Sequence, residues 1–422
     1  TAALGGKKRV LSGELIKRLR KRFAPGGLLF YGQGKWYPGE QIPRWALACY
    51  WRKDKEPIWE DEQWIADESK DYGHSSSDAK HFATALAGAL GADPKWMMSA
   101  YEDVFHYLLR ERRLPSNGDP LESNLKDPYE RARLTRLFSQ GLGEVVGFVL
   151  PLKREGTGAS ARWRSGPWFL REERLYLIPG DSPMGYRLPL DSLPWVTEAE
   201  YPYIIPADPT QTWGDLPPRE PIMQVARSRS QAAAAAHDSE RFPATQSSRA
   251  WVGETVTALH ESEIPPTAQQ SAKDVIRTAI CFEPREGRLH IFLPPLEGTE
   301  EFLDLIACLE QTAAALNIPI ILEGSPPPYD PRIQVLKVTP DPGVIEVNLQ
   351  PAASWDELVE NTTTLYEEAH LTRLTTEKFM VDGRHTGTGG GNHIILGGET
   401  PSDSALLRRP DLLRSMLTYW NH

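Results

Sequence analysis

IRTAICFEPREGRLHIFLPPLEGTEEFLDLIACLEQTAAALNIPIIL, residues 276–322, decides the fold. Its apolar runs at 276–282 and 288–293 predict the two arms of a hairpin. Residues 301–316 then place Phe302, Leu305, Ile306, Leu309, Ala313 and Leu316 on one helical face, and 318–322 reads as a buried strand. Working outward toward the C-terminus, 333–337 and 344–349 predict two further strands. The second alternates Val344, Glu346 and Asn348 against Ile345, Val347 and Leu349, so a carboxylate and an amide share one face. Ser354 and Glu357 have the spacing of a capping box and open a helix expected to run to about residue 374. A glycine-rich stretch, DGRHTGTGGGNHIILGG at 382–398, closes the segment and predicts a loop followed by a short strand. Strands and helices in this order make the chain α+β.

Before this segment the pattern weakens. Residues 208–273 contain TWGDLPPREP, an alanine run and SEIPPTAQQS, and they read as a flexible linker between an N-terminal region, 1–207, and the region from 274 to 422. The N-terminal region is rich in aromatics. Ten of the thirteen tryptophans lie at or before Trp213, and at that density aromatics more often fill a core than bind a ligand. Residues 7–22 predict a basic amphipathic helix, 78–113 a two-helix unit broken at 91–94, 130–140 a short helix, 141–152 a strand-like run and 163–195 an all-β insert.

The 422 residues carry 47 Lys plus Arg against 57 Asp plus Glu, a formal charge of −10, and the whole surplus lies in residues 275–422, with 11 basic and 21 acidic side chains. No overall basic field exists for a nucleic-acid backbone. No apolar run approaches the roughly 20 residues that cross a bilayer, and no apolar signal core follows the basic N-terminus. Cys49, Cys281 and Cys308 fit neither a disulfide framework nor a zinc cluster, so a soluble protein of the reducing cytoplasm is expected.

Chemistry is most legible in the acidic segment. Gly387, Gly389, Gly390 and Gly391 permit close backbone approach to an anion, with Arg384 and His385 supplying donors beside them. The stretch is neither a P-loop nor a Rossmann fingerprint. His393 reads either as a structural histidine or as a ligand of metal or phosphate, and Glu346 with Asn348 either as a wet sheet face or as part of a site. Glu283 and Glu323 are further carboxylates at strand ends, suited to a hard cation such as Mg²⁺. Arg285, Arg288, Arg332 and Arg384 are candidates to clamp phosphate or carboxylate. The sequence contains no Gly-x-Ser-x-Gly elbow and no HExxH motif.

CFEPREGRLHIFLPP, LEGSPPPYDPRI, VTPDPGVIEVNLQPAASWDELV, TEKFMVDGRHTGTGGGNHIILGG and LRRPDLLRS resemble the bacterial amidoligase domain family. LIPGDSPMGYRLPLDSLPW and GLLFYGQGKWYPGE extend the resemblance over nearly the whole chain. That family is commonly fused to transglutaminase-like domains and is assigned to carboxylate-amine ligases similar to glutamine synthetase and glutamate-cysteine ligase. The resemblance implies a glutamine synthetase-like antiparallel sheet with helices on one face. It also implies ATP and Mg²⁺ or Mn²⁺ as cofactors, and small-molecule or peptide carboxylates and amines as substrates. Carried over residue by residue, it makes Glu283, Glu346 and His393 metal ligands. Gly387, Gly389, Gly390, Gly391, Asn392, Arg288 and Arg332 become nucleotide-binding, and Arg384, His385 and Asn348 catalytic. Ile395 stands where glutamine synthetases have a second histidine, and Arg285 where they have a second first-strand glutamate. Such ligases draw further ligands from strands after the histidine loop, so the chain is expected to be a fragment of a longer polypeptide. The rival expectation is a non-catalytic peptide-binding module that serves a transglutaminase-like enzyme.

Overall fold

The computed structural model describes residues 5–35, 43–113, 128–156, 160–171, 174–204, 208, 212–241, 263–387, 391 and 393–422. Its strands are β1 (Leu28–Gln33), β2 (Trp45–Arg52), β3 (Met98–Glu102), β4 (Val145–Pro151), β5 (Lys153–Glu155), β6 (Arg162–Arg164), β7 (Leu175–Leu177), β8 (Ala279–Arg285), β9 (Arg288–Leu293), β10 (Ile320–Gly324), β11 (Ile333–Asp341), β12 (Val344–Asn348), β13 (Lys378–Phe379) and β14 (His385–Thr386). Its helices are α1 (Gly6–Phe23), α2 (Ser76–Leu90), α3 (Val104–Glu111), α4 (Pro128–Gln140), α5 (Arg219–Arg241), α6 (Thr299–Leu316), α7 (Trp355–Leu371), α8 (Ala405–Arg408) and α9 (Pro410–Trp420).

Ten strands form one sheet in the order β12-β11-β2-β1-β10-β9-β8-β4-β3-β7. The α+β reading holds. The implied antiparallel arrangement is only partial, because β1 with β10, β10 with β9 and β3 with β7 pair in parallel. The β9-to-β10 link needs a crossover, which α6 supplies. That helix ends at Asn317, whose φ of 55° turns the chain out before Pro319.

The sheet takes strands from both predicted regions, since β1, β2, β3, β4 and β7 interleave with β8 to β12. Residues 208–273 therefore do not divide two sheets. Part of the expected linker is the helix α5, whose Ala226 joins the core under α2 and α6. Its small, sparse apolar side chains give little periodic signal, and polar ties do the rest. Arg219 donates to Glu310 of α6 at 2.6 Å and to the Ile58 carbonyl at 2.9 Å. The second arm of the expected two-helix unit begins as strand β3, and residues 394–396, expected as a strand, lie outside any strand with exposed side chains.

Alternation along the strands gives the sheet two unlike faces. One packs Leu28, Phe282, Leu289, Ile291 and Leu322 against Phe82 and Leu86 of α2 and Leu305, Ile306 and Leu309 of α6. Each such side chain, fully buried, contributes roughly 1.5–3 kcal/mol. The opposite face carries two separate apolar clusters. Leu15, Ile16 and Leu19 of α1 cover Leu29, Leu47, Ile321, Leu336 and Val338. Farther along, Trp168, Met184, Leu188, Leu193 and Val275 cover Val149, Cys281 and Phe292. The sheet surface between these two clusters is polar.

Candidate functional site

That polar surface is built by β8, β9, β10 and β1, which are neighbours in the sheet. Register brings Glu283 of β8 opposite His290 of β9, and Tyr31 of β1 opposite Glu323 of β10. Arg285 shares the face of Glu283, being two residues on. The β8–β9 turn fixes this register: Glu286 (φ 50°) and Gly287 (φ 70°) form a two-residue connection with both φ values positive. The Gly287 carbonyl then accepts from the Tyr72 and His74 amides at 3.2 and 3.0 Å, docking the neighbouring loop on the hairpin.

Arg285 is the centre of the cluster. Its guanidinium donates to Glu323, contacts His290 Nδ1 at 2.6 Å through the same Nη2, and approaches Glu283 Oε2 to 3.7 Å through Nη1. Glu283 Oε2 also accepts from the Met184 amide at 3.0 Å, while Tyr186 rests edge-on against Phe292 with ring centroids 4.7 Å apart. Glu283, Glu323 and His290 are buried, but the Arg285 side chain keeps 29% of its exposure, so the cluster has a solvent-facing side. Two of its buried polar atoms, Glu323 Oε1 and His290 Nε2, have no hydrogen-bond partner.

The electrostatics separate the two carboxyls. Burial raises Glu283 and outweighs the opposing pull of Arg285, with the neighbouring Glu323 charge adding a lesser push. Burial also pushes on Glu323, but the Arg285 charge heads the opposing causes, and this carboxyl is left below its ordinary range. Burial lowers His290 despite Glu323, favouring neutral imidazole, while Arg285 is held charged by Glu283 and Glu323 against its own desolvation. The arrangement is one charged guanidinium, one ionised carboxylate, one carboxyl inclined to keep its proton and one neutral imidazole. Such a set can bind an anionic group and take up a proton beside it.

The expected site residues are scattered relative to this cluster. Glu283 belongs to it. Glu346 and Asn348 do not: they are exposed on β12, six places from β8 in the sheet order, or about 29 Å at the usual strand spacing. They also face the other way, because Ile345 and Val347 turn toward the α1 cluster and alternation sends Glu346 to the opposite face. Glu346 Oε2 accepts from the Thr339 hydroxyl of β11 at 3.4 Å. His393 is exposed, with its ring beside Gly391. Glu283, Glu346 and His393 are thus not brought together, and among the described residues no three His, Cys, Asp or Glu side chains form a group able to hold a metal ion.

Arg384 pairs with Asp382 on the exposed hairpin of β13 and β14, where His385 stacks edge-on against Phe379. Arg288 is tied to Glu286 and the Glu68 carbonyl, and Arg332 to Asp330, Glu300 and the Gly214 carbonyl. These two arginines act as structural clamps. A side chain at Gly387 would meet nothing within 4 Å, so no close packing demands glycine there. Gly389, Gly390 and Asn392 lie outside the described residues. Residue reasoning missed His290, whose only signal is one polar side chain inside LHIFL.

All three cysteines are free and buried, and burial pushes the Cys49 and Cys308 thiols up to about 12. None is an accessible thiolate. Among the described residues no helix is long and apolar enough to cross a membrane. The family model described as "Putative amidoligase enzyme (DUF2126)" matches residues 1–422. No curated protein and no solved structure matches the chain.

Proposed function

The chain belongs to this amidoligase family, and from that premise we propose that the Glu283–Arg285–His290–Glu323 cluster is the centre of an ATP-dependent carboxylate-amine ligase. The observation that carries the reading is one guanidinium, Arg285, set between two buried carboxyls, Glu283 and Glu323, with the buried His290 ring against it. In this reaction a substrate carboxylate oxygen takes the γ-phosphoryl group of ATP and ADP leaves. The amine nitrogen then attacks the acyl carbon, the bond from that carbon to the phosphate oxygen breaks, and phosphate leaves.

Arg285 would offset charge on the acyl phosphate and on the oxygen of the tetrahedral intermediate. Ionised Glu323, with Oε1 unpartnered, would accept the proton that the amine loses, and neutral His290, whose Nδ1 faces the donor Nη2 of Arg285, would carry its proton on Nε2 and donate it to a substrate oxygen. Ionised Glu323 would hold Arg285 and His290 in place. The Mg²⁺ or Mn²⁺ that the family resemblance implies does not fit the described residues as one ligand set. Peptide or small-molecule substrates, and service beside a transglutaminase-like domain, belong to the same proposal.

The test is release of ADP and phosphate by the full chain given ATP, a pool of amino acids and a pool of di- and polyamines. Release should require both a carboxylate and an amine. His290→Ala and Arg285→Ala should each lower it at least about a hundredfold, within the range that general acid–base and charge-stabilising groups supply, with circular dichroism unchanged. Equal release by folded His290→Ala and Arg285→Ala would remove the cluster from the reaction. The non-catalytic peptide-binding reading predicts no release with any pair.

A further inference from the structure

We infer that Arg285 is the resident cation of the sheet-centre cluster, standing where a divalent metal ion would otherwise be needed, and that an anionic substrate group binds its guanidinium directly. Three titratable side chains of the cluster, Glu283, His290 and Glu323, all turn toward this one guanidinium. Glu323 accepts from its Nη2, His290 Nδ1 lies 2.6 Å from the same nitrogen, and Glu283 Oε2 lies 3.7 Å from Nη1. A guanidinium offers five donors in a planar fork and does not lose its proton, so one side chain meets both carboxylates.

The substitution is readable in the strand itself. Alternation puts residues 283 and 285 on the same face, and a pair of acidic residues there would invite a cation from solution. Here the second position is cationic. Glu323 Oε1 and His290 Nε2, both buried and both without a partner, are the atoms left for a ligand once Arg285 has taken the rest. The Arg285 side chain keeps 29% of its exposure, so the cluster has a solvent-facing side from which a carboxylate or phosphate would approach.

This inference deepens the proposed ligase reading by naming what meets the substrate's anionic group, and its test does not depend on turnover. Mn²⁺ is titrated into the full chain and followed by electron paramagnetic resonance. Substituting Glu283→Gln or Glu323→Gln should leave Mn²⁺ binding unchanged within about twofold. Arg285→Ala should gain a Mn²⁺ site that the double substitution Arg285→Ala/Glu323→Gln loses again. A loss of tenfold or more in Mn²⁺ affinity in either single glutamate variant would overturn the inference, as would an Arg285→Ala variant that folds and gains no site. If Arg285→Ala does not fold, the two glutamate variants still decide the matter. Absence of ADP release alongside the expected Mn²⁺ pattern would sink the ligase reading and leave this one standing.

Discussion

Glu283 and Glu323 respond to pH in opposite senses, although both are buried against the same arginine. Glu323 is lowered on folding, so its stabilising share is complete above the ordinary glutamate value of about 4.3 and is lost as pH falls through the folded-state value below it. Glu283 is raised, so the folded chain holds this proton after the unfolded chain has released it. Its contribution is present below about 4.3 and is lost as pH rises toward the folded-state value. Glu323→Gln should therefore cost about 3 kcal/mol in urea unfolding at pH 7, because it leaves a largely buried arginine short of its partner, and should flatten the acid limb of the stability profile. Glu283→Gln should be neutral or stabilising by up to about 1 kcal/mol at pH 7 and should flatten the decline above pH 4.3. Matching losses from the two substitutions would contradict the division of charge between them. Glu283, Arg285 and Glu323 are visible in the sequence as polar residues closing apolar strands. His290 is not, because only the register of β8 against β9 reveals that it stands opposite Glu283.

At the scale of elements, the strand that carries Glu323 ends at a glycine under steric demand. Gly324 has φ of 100°, and a Cβ there would lie 2.6 Å from the Leu293 carbonyl oxygen and 2.7 Å from its amide nitrogen. Both are backbone atoms of β9 and cannot rotate away. Gly324→Ala should cost about 2–3 kcal/mol, read from the urea midpoint, and should disturb the adjoining Glu323. Gly387→Ala makes the contrast: its site is open and its φ is not positive, so the same measurement should move by less than about 0.5 kcal/mol. The sequence marks Gly387 for close backbone approach, yet it is Gly324 whose backbone conformation and surroundings demand glycine. Element types were most legible where apolar spacing was dense, as in α6, and where a cap was written out. Ser354 Oγ accepts from the Glu357 amide at 3.2 Å, and Glu357 reaches back to the Ala353 amide at 2.7 Å. They were least legible in α5, where Arg219 and Arg229 anchor the helix through Glu310 and Asp304 of α6. Charge pairing across 75 or more residues leaves no local period to read.

For the whole molecule, the boundary that composition draws at 208–273 and the sheet that register builds do not coincide. Composition reports where the chain is poor in apolar periodicity, whereas pairing is decided by which strand edges can satisfy one another. The acidic segment contributes β8, β9 and β10, but β10 is bounded on its other side by β1, and β8 by β4, both from the N-terminal region. Cut free, residues 274–422 would expose both of those edges together with Ile280, Phe282, Ile321 and Leu322, which the intact protein buries. They would also lose α1 and α2, which cover the two faces. Unpaired edges beside apolar faces favour aggregation over folding. Residues 274–422 expressed alone should therefore be insoluble or lack dispersed amide resonances, and adding residues 1–241 in a co-expressed chain should restore both solubility and dispersion. A soluble, cooperatively unfolding 274–422 fragment would show that the sheet is not the folding unit. The same dependence reaches the site, since Tyr31 and Met184, which border the Arg285 cluster on β1 and beside β8, both come from the N-terminal region. A fragment that folded without them would retain Glu283, Arg285, His290 and Glu323 but lose the Met184 amide that Glu283 accepts from.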